Sequence, residues 1–313
     1  MRTYETVTSA QNPKVKHLLA LQEKSRLRRE EGLFVVEGLR EVLHALEAGY
    51  QADTVFLCPE IFEAADASEP ASAPVADEAA QTRKAILSLL EGQKPGVHFI
   101  EVPAFLYEKI ALRGSTEGII AQLHVKSHLL SELSLPENAL VIVLENIEKP
   151  GNIGAVLRSA DGAGADALIV CAPAADASST DTHSPLAAGP APASLPAPQA
   201  TDLYNPNAIR SSLGAVFSVP TAVCSSQEAI AFLKSRGVRI LTAQLQDSSF
   251  YYDVDMTGPT ALVIGSEADG LSEVWRQAAD KHILIPMKGR MDSLNASVSA
   301  AILLYEALRQ RNL

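Results

Sequence analysis

Cysteine is scarce in this 313-residue chain, and what is present forms no metal or disulfide pattern. Cys58, Cys171 and Cys224 are odd in number, far apart and set among apolar or small residues, which points to structural thiols in a reduced, cytoplasmic setting. His124 and His128 stand four apart but lack a third ligand, so no metal is expected. Long apolar runs are missing too. No stretch approaches the roughly eighteen residues of a membrane span, and the opening MRTYETVTSAQNPK has no apolar signal region. Nucleotide fingerprints are equally absent: no G-x-G-x-x-G follows an apolar strand, and no Walker A sequence occurs. Aromatics make up only 5%, so extensive base stacking is not implied. An overall basic excess is lacking as well, the net charge being -11.

The charge is unevenly spread. Residues 1–40 hold eight Lys or Arg against five Glu, while residues 66–82 carry Asp66, Glu69, Asp77 and Glu78 with no basic residue. A local basic face is therefore compatible with an acidic protein. With 47% hydrophobic residues the chain can bury two ordinary cores. The pattern predicts a smaller α/β domain over 1–126 with a mobile acidic insert at 64–80, a linker over 127–138, and a larger domain over 139–313. The Ala-, Pro- and Ser-rich stretch 172–201 has almost no bulky apolar residue to offset its ordering entropy, so disorder is expected there.

In the first domain, Asn12-Pro13 is a helix start. It leads into one basic helix carrying Lys14, Lys16, Lys24, Arg26, Arg28 and Arg29. By itself that charge is a solvated helix face. Strands are expected at 33–36, 54–57, 97–101 and 118–124, with helices at 39–48, 82–91 and 103–110. The second domain alternates strand and helix. Strands are predicted at 139–145, 167–171, 215–219, 238–243, 260–264 and 282–285, and helices at 152–163, 206–212, 226–236, 271–279 and 295–310. Continuous apolar runs such as Val141–Leu144 predict a mostly parallel sheet covered on both faces.

Three stretches sit where such a sheet turns into helices. In LENIEKPGNIGAVLRSA an apolar strand runs through Pro150 and Gly151 into a helix with Asn152 as its expected N-cap, yet that role gives no reason for Arg158. In Gly265-Ser-Glu267-Ala-Asp-Gly270 a tight turn places a carboxylate at a strand's C-terminal edge, where open α/β sheets bind ligands. In the third, Ile285-Pro286-Met287 is followed by a polar loop and by Ser293-Leu294-Asn295-x-Ser297, with Ser293 or Asn295 as N-cap of a long helix.

Taken together, Asn152-x-Gly154-x-x-x-Arg158, Gly265-x-Glu267-x-x-Gly270 and Ile285-Pro286-Met287 with Ser293-Leu294-Asn295-x-Ser297 resemble, in order, the motifs of the SpoU, or TrmH, family of SPOUT-class RNA ribose 2'-O-methyltransferases. Asp202-Leu-Tyr-Asn-Pro-Asn207 with Arg210 and Gly214-Ala-Val-Phe217 is similar to the segment between the first two motifs. Asn12-Pro13-Lys14 and Phe34-Val-Val-Glu37-Gly38 are similar to the RNA-binding domain that many members carry first. The resemblance implies a C-terminal trefoil knot, a homodimer and S-adenosylmethionine held by Gly265, Ile285 and Leu294, flanked by Ile264, Met287 and Asn295. It implies a polar site of Asn152, Arg158, Glu267, Ser293 and Asn295 for the reacting ribose. Under it, Lys14, Lys16, Arg28, Arg29 and Arg158 become RNA contacts, with ribosomal RNA favoured over transfer RNA and no membrane or metal partner. The alternatives are a transfer-RNA methyltransferase, a noncatalytic RNA-binding or assembly factor that kept the knot, and a small-molecule α/β enzyme.

Overall fold

The computed structural model describes residues 4–63, 74–93, 96–112, 117–172 and 202–312. The chain forms two compact units, one of Met1–Lys126 with Asp202–Ser218 and one of Ser127–Thr201 with Val219–Leu313. The expected insert at 172–201 lies outside the described residues except for Ala172, which ends a strand. Of the expected mobile insert at 64–80, residues 64–73 lie outside them and the rest is helical.

The first unit begins with β1 (Tyr4–Thr6), α1 (Pro13–Glu23), α2 (Ser25–Glu31), β2 (Leu33–Glu37), α3 (Leu39–Glu47), β3 (Ala52–Leu57) and α4 (Pro59–Phe62). It continues through α5 (Pro74–Glu91), β4 (His98–Glu101), α6 (Ala104–Ile110) and β5 (Ile119–His124). Its sheet has the order β1-β4-β3-β5-β2, parallel except where β5 runs antiparallel to β2 and β3. Asn12 caps α1 as expected, its side chain accepting from the Lys14 N–H at 2.8 Å. The basic stretch is two helices rather than one. Lys24 is extended between them, so Arg28 turns inward and is only 2% exposed.

The second unit contains β6 (Leu140–Glu145), α7 (Pro150–Ala163) and β7 (Ala167–Ala172). The chain then gives α8 (Pro206–Ser212) and α9 (Ala215–Ser218) to the first unit, and returns with β8 (Thr221–Ser225), α10 (Ser226–Ser235), β9 (Arg239–Ala243) and β10 (Ser249–Phe250). It ends with β11 (Thr260–Ile264), α11 (Glu273–Ala278), β12 (Lys281–Leu284) and α12 (Ala296–Arg311). The sheet order is β10-β12-β9-β11-β6-β7-β8, and every pairing is parallel. All six residues of β6 are buried, as both-face coverage by helices requires. α12 is closed at its far end by Arg311, whose guanidinium donates to the carbonyls of Asn138, Ala139, Met256 and Gly258 at 2.7–3.1 Å.

Segment 202–218 departs from expectation twice. The strand expected at 215–219 is α9, and the strand lies further on at Thr221–Ser225. The segment also packs with the first unit, not with the domain its position suggests. Aromatic burial explains both. Tyr204 stacks on Phe34 with ring centroids 4.1 Å apart, and Phe217 meets the Tyr50 ring edge at 5.2 Å. The buried Arg28 locks the segment's start. Its Nε donates to Asp202 Oδ2 at 2.9 Å, Nη2 also reaches that oxygen, and Nη1 donates to the carbonyls of Leu21 and Gln22. Arg28 is thus corrected from an RNA contact to an internal clamp. Removing one partner of a buried pair costs about 3–5 kcal/mol. Arg28→Ala is therefore expected to lower the first unit's melting temperature by many degrees, which calorimetry would detect; an unchanged melt would contradict the clamp.

Candidate active site

The site is assembled at the C-terminal edges of the central strands of the second unit. Past β6 the chain turns at Asn146, a non-glycine residue at φ 55°, and enters α7 with Pro150 in its first turn. Sequence reasoning places Asn152 at the N-cap, but the cap is Lys149, because proline fits the first helical position and starts the helix earlier. Asn152 is thereby inside the first turn with its side chain free to act elsewhere.

Its amide goes to Glu267. Asn152 Nδ2 donates to Glu267 Oε1 at 3.0 Å, Asn295 Nδ2 donates to the same oxygen at 2.6 Å, and Lys149 Nζ donates to Oε2 at 2.5 Å. Asn295 Nδ2 also reaches Asn152 Oδ1 at 3.2 Å. The Asn295 amide is oriented by its capping role, since Oδ1 accepts from Ser297 N at 3.0 Å and from Ser297 Oγ at 2.6 Å, which leaves its NH₂ for the carboxylate. Three motifs, the first more than a hundred residues before the other two, thus meet at one carboxylate.

The bonds from Lys149 and then Asn152 hold the Glu267 carboxyl below its ordinary value. A depressed carboxylate keeps its favourable contacts at neutral pH and loses them only as pH falls through its lowered value. Glu267 is therefore an ionised, acceptor-only group here.

Beside this cluster is a cavity of about 330 Å³ walled by the ends of β9, β11 and β12 and by the loops after β11 and β12. Ile264, Gly265, Ile285, Met287 and Leu294 all line it, as do Glu267 and Ser293. Of the residues expected along a cofactor, Asn295 alone is absent from the lining and stands in the carboxylate cluster. The loop after β11 is closed on itself: Ser266 and Gly270 exchange both backbone hydrogen bonds, at 3.1 and 3.2 Å. Gly265 is indispensable to that closure, because a Cβ there would lie 2.3 Å from the backbone carbonyl of Gly270.

Arg158 is exposed on α7 and forms no hydrogen bond or ion pair among the described residues. Four contributors were missed by sequence reasoning. Lys149 could have been noticed as a cation beside the turn proline, and Glu145 as an acid ending an apolar strand. Gln244 and Arg276 line the cavity, and their buried Oε1 and Nε atoms have no hydrogen-bond partner. Neither stands in a pattern that would single it out. In the first unit, Lys14 pairs with Glu5, whereas Lys16 and Arg29 are exposed. Among the described residues no group of three His, Cys, Asp or Glu could hold a metal, and no helix is long and apolar enough to cross a membrane.

Comparison with known proteins gives concordant matches. Residues 139–193 and 186–305 match the SpoU rRNA Methylase family, and residues 12–121 match the MRM3-like substrate binding domain. The chain is 28% identical over 309 residues to a 23S rRNA (uridine(2479)-2'-O)-methyltransferase of Streptomyces viridochromogenes, covering 97% of this chain and 92% of that one. It is 32% identical over 201 residues to the 23S rRNA (guanosine-2'-O-)-methyltransferase RlmB of Vibrio parahaemolyticus, covering 62% and 71%. Among solved structures, an AdoMet-bound rRNA methyltransferase from Sinorhizobium meliloti superposes with a TM-score of 0.74 at 25% identity, covering 98% of each chain.

Proposed function

The chain belongs to the SpoU rRNA methylase family, and from that membership we propose that it transfers a methyl group from S-adenosylmethionine to a ribose 2'-hydroxyl of ribosomal RNA. The observation that carries this reading is the meeting of Asn152, Glu267 and Asn295 beside a cavity of about 330 Å³. That volume lies within the roughly 300–1,000 Å³ of small-molecule clefts. The residues present fit the cofactor, for the wall offers apolar side chains and a glycine together with the polar residues Gln244, Ser293 and Arg276, and the buried Gln244 Oε1 and Arg276 Nε have no partner within the protein. Gly265, Ile285 and Leu294, with Ile264 and Met287, would hold it.

When bound, S-adenosylmethionine supplies an activated sulfonium methyl and a neutral thioether leaving group. The protein's task is to bring the ribose oxygen into line and to help it shed its proton. Arg158 cannot serve as a base at neutral pH, because a guanidinium keeps its proton. Its role is to grip a neighbouring phosphate and to stabilise negative charge building on the 2'-oxygen, the proton leaving to another group or to water. Glu267 fixes the amides of Asn152 and Asn295 rather than Arg158, and Ser293 offers a hydroxyl at the cavity wall. A knotted second domain and a cytoplasmic homodimer belong to the same reading. Supporting a second copy, α7 and α12 carry the unpaired Arg158 along with Val298 at 46% and Tyr305 at 51% exposure.

The test is to map 2'-O-methyl groups in ribosomal RNA from cells with and without the gene. One site should disappear and return on complementation; unchanged maps, together with purified protein that does not bind S-adenosylmethionine, would defeat the proposal. For RNA contact, Lys16 and Arg29 on α1 and α2, joined by Lys14, are the exposed positions. Their contribution is phosphate positioning rather than sequence reading. Lys16→Glu with Arg29→Glu is expected to weaken RNA binding and to flatten its log-salt slope by about 2. Cofactor affinity should stay constant, and an unaltered slope would remove this face from the interface.

A further inference from the structure

Glu145 closes β6, a strand otherwise wholly apolar, and is itself 3% exposed. The two-residue period of a strand points it to the same side as Val141 and Val143, toward α10 and α11. Among the described residues no cation pairs with it. Its oxygens instead accept three hydrogen bonds: Ser226 Oγ donates to Oε1 at 2.9 Å, Ser272 Oγ to Oε1 at 2.6 Å, and the Ser272 N–H to Oε2 at 2.8 Å. Ser226 Oγ in turn accepts from the fully buried Trp275 Nε1 at 3.0 Å. A buried carboxylate is costly unless satisfied in this way, and an apolar residue at the end of β6 would pack there without that cost.

The geometry locates what the carboxylate does. Ile264, the last residue before the Gly265–Gly270 loop, pairs with Leu144 of β6. Ser272, just after the loop, is bound by Glu145, the next residue of β6. Adjacent positions of one strand therefore hold both ends of the loop that carries Glu267 and lines the cavity.

Resting on the proposed activity, we infer that Glu145 is a positioning residue, which through Ser272 fixes the Gly265–Gly270 loop in the shape that receives the cofactor and aims Glu267 at Asn152 and Asn295. It touches neither substrate nor cofactor and acts only through the loop. Ser226, itself held by Trp275, braces the same carboxylate.

The experiment compares the full-length wild type with Glu145→Ala, Glu145→Gln and Leu233→Ala, the last a buried core truncation in the same unit. Hydrogen–deuterium exchange of residues 265–272, S-adenosylmethionine affinity, kcat, KM and melting temperature are measured for each. Glu145→Ala is expected to speed exchange of the loop amides at least about tenfold and to raise KM for the cofactor by about 10–100-fold, the usual scale for a lost supporting contact. Glu145→Gln, which keeps an acceptor for the Ser272 N–H, should retain most loop protection. Leu233→Ala should lower the melting temperature but leave loop exchange and KM as in the wild type. The inference is overturned if Glu145→Ala behaves like Leu233→Ala, losing stability alone. Should Glu145→Ala not fold, Ser272→Pro, which removes both the N–H and the hydroxyl held by Glu145 at a backbone φ of -65° that proline can adopt, carries the same comparison, and unchanged loop exchange in that variant is equally fatal. A wild type that binds no S-adenosylmethionine would sink the proposed function, while the exchange contrast would still decide whether Glu145 holds the loop.

Discussion

An Arg158→Ala enzyme is expected to transfer methyl groups about 10²–10³-fold more slowly, the scale on which enzymes lose rate when one preorganised charge stabiliser is removed. The side chain is exposed and makes no hydrogen bond or ion pair among the described residues, so its removal should leave the melting temperature unaltered. S-adenosylmethionine affinity should also hold, because Arg158 does not line the cavity. Lysine is a poor substitute, since a point charge lacks the planar fork that grips phosphate. Arg158→Lys should therefore recover only part of the rate. Single-turnover kinetics with saturating cofactor would measure the effect directly. A variant with full turnover would show that the guanidinium is idle and that the charge at the 2'-oxygen is met elsewhere.

Gly265→Ala is expected to be as damaging by a different route. The added Cβ would fall 2.3 Å from Gly270 C and O and 2.6 Å from Leu271 N, all main-chain atoms with no flexible side chain to yield. The backbone bridge between Ser266 and Gly270 must then open. Forced overpacking costs about 1–3 kcal/mol, and here the strain falls on the cavity wall. Calorimetric titration should show S-adenosylmethionine affinity reduced by about 100-fold or beyond, which at the upper end of that strain follows from 1.4 kcal/mol per tenfold. Gly258→Ala is the control, for a Cβ there meets nothing within 4 Å. Unaltered affinity in Gly265→Ala would mean that the loop adopts another shape when the cofactor binds.

Much of the architecture was legible from local chemistry. Continuous apolar runs identified the parallel strands, and prolines and asparagines located the helix starts at Pro13, Pro206 and Ala296. The three motifs were visible because glycine, proline and polar residues interrupt those runs at strand ends. What escaped notice depended on distant partners. Arg28 reads as one more surface cation until Asp202, 174 residues away, is brought to it. Val216 and Phe217 read as strand residues, yet aromatic neighbours from the first unit draw them into a helix. Asn152 looked like a cap because caps are its commonest use, and only the position of Glu267 shows its amide spent on a carboxylate. Glu145 was hidden in the same way by the apolar strand before it.

The uniformly parallel pairing of the large sheet bears on how the protein acquires its shape. None of its strand pairs can zip up from a tight hairpin, and the central one joins Leu140 to Thr260. Such distant pairings make for slow refolding, because wide loops must close before any contact rewards them. The amide contact between Asn152 and Asn295 spans 143 positions. Recovery of enzymatic competence after denaturation should consequently lag behind the return of helical signal.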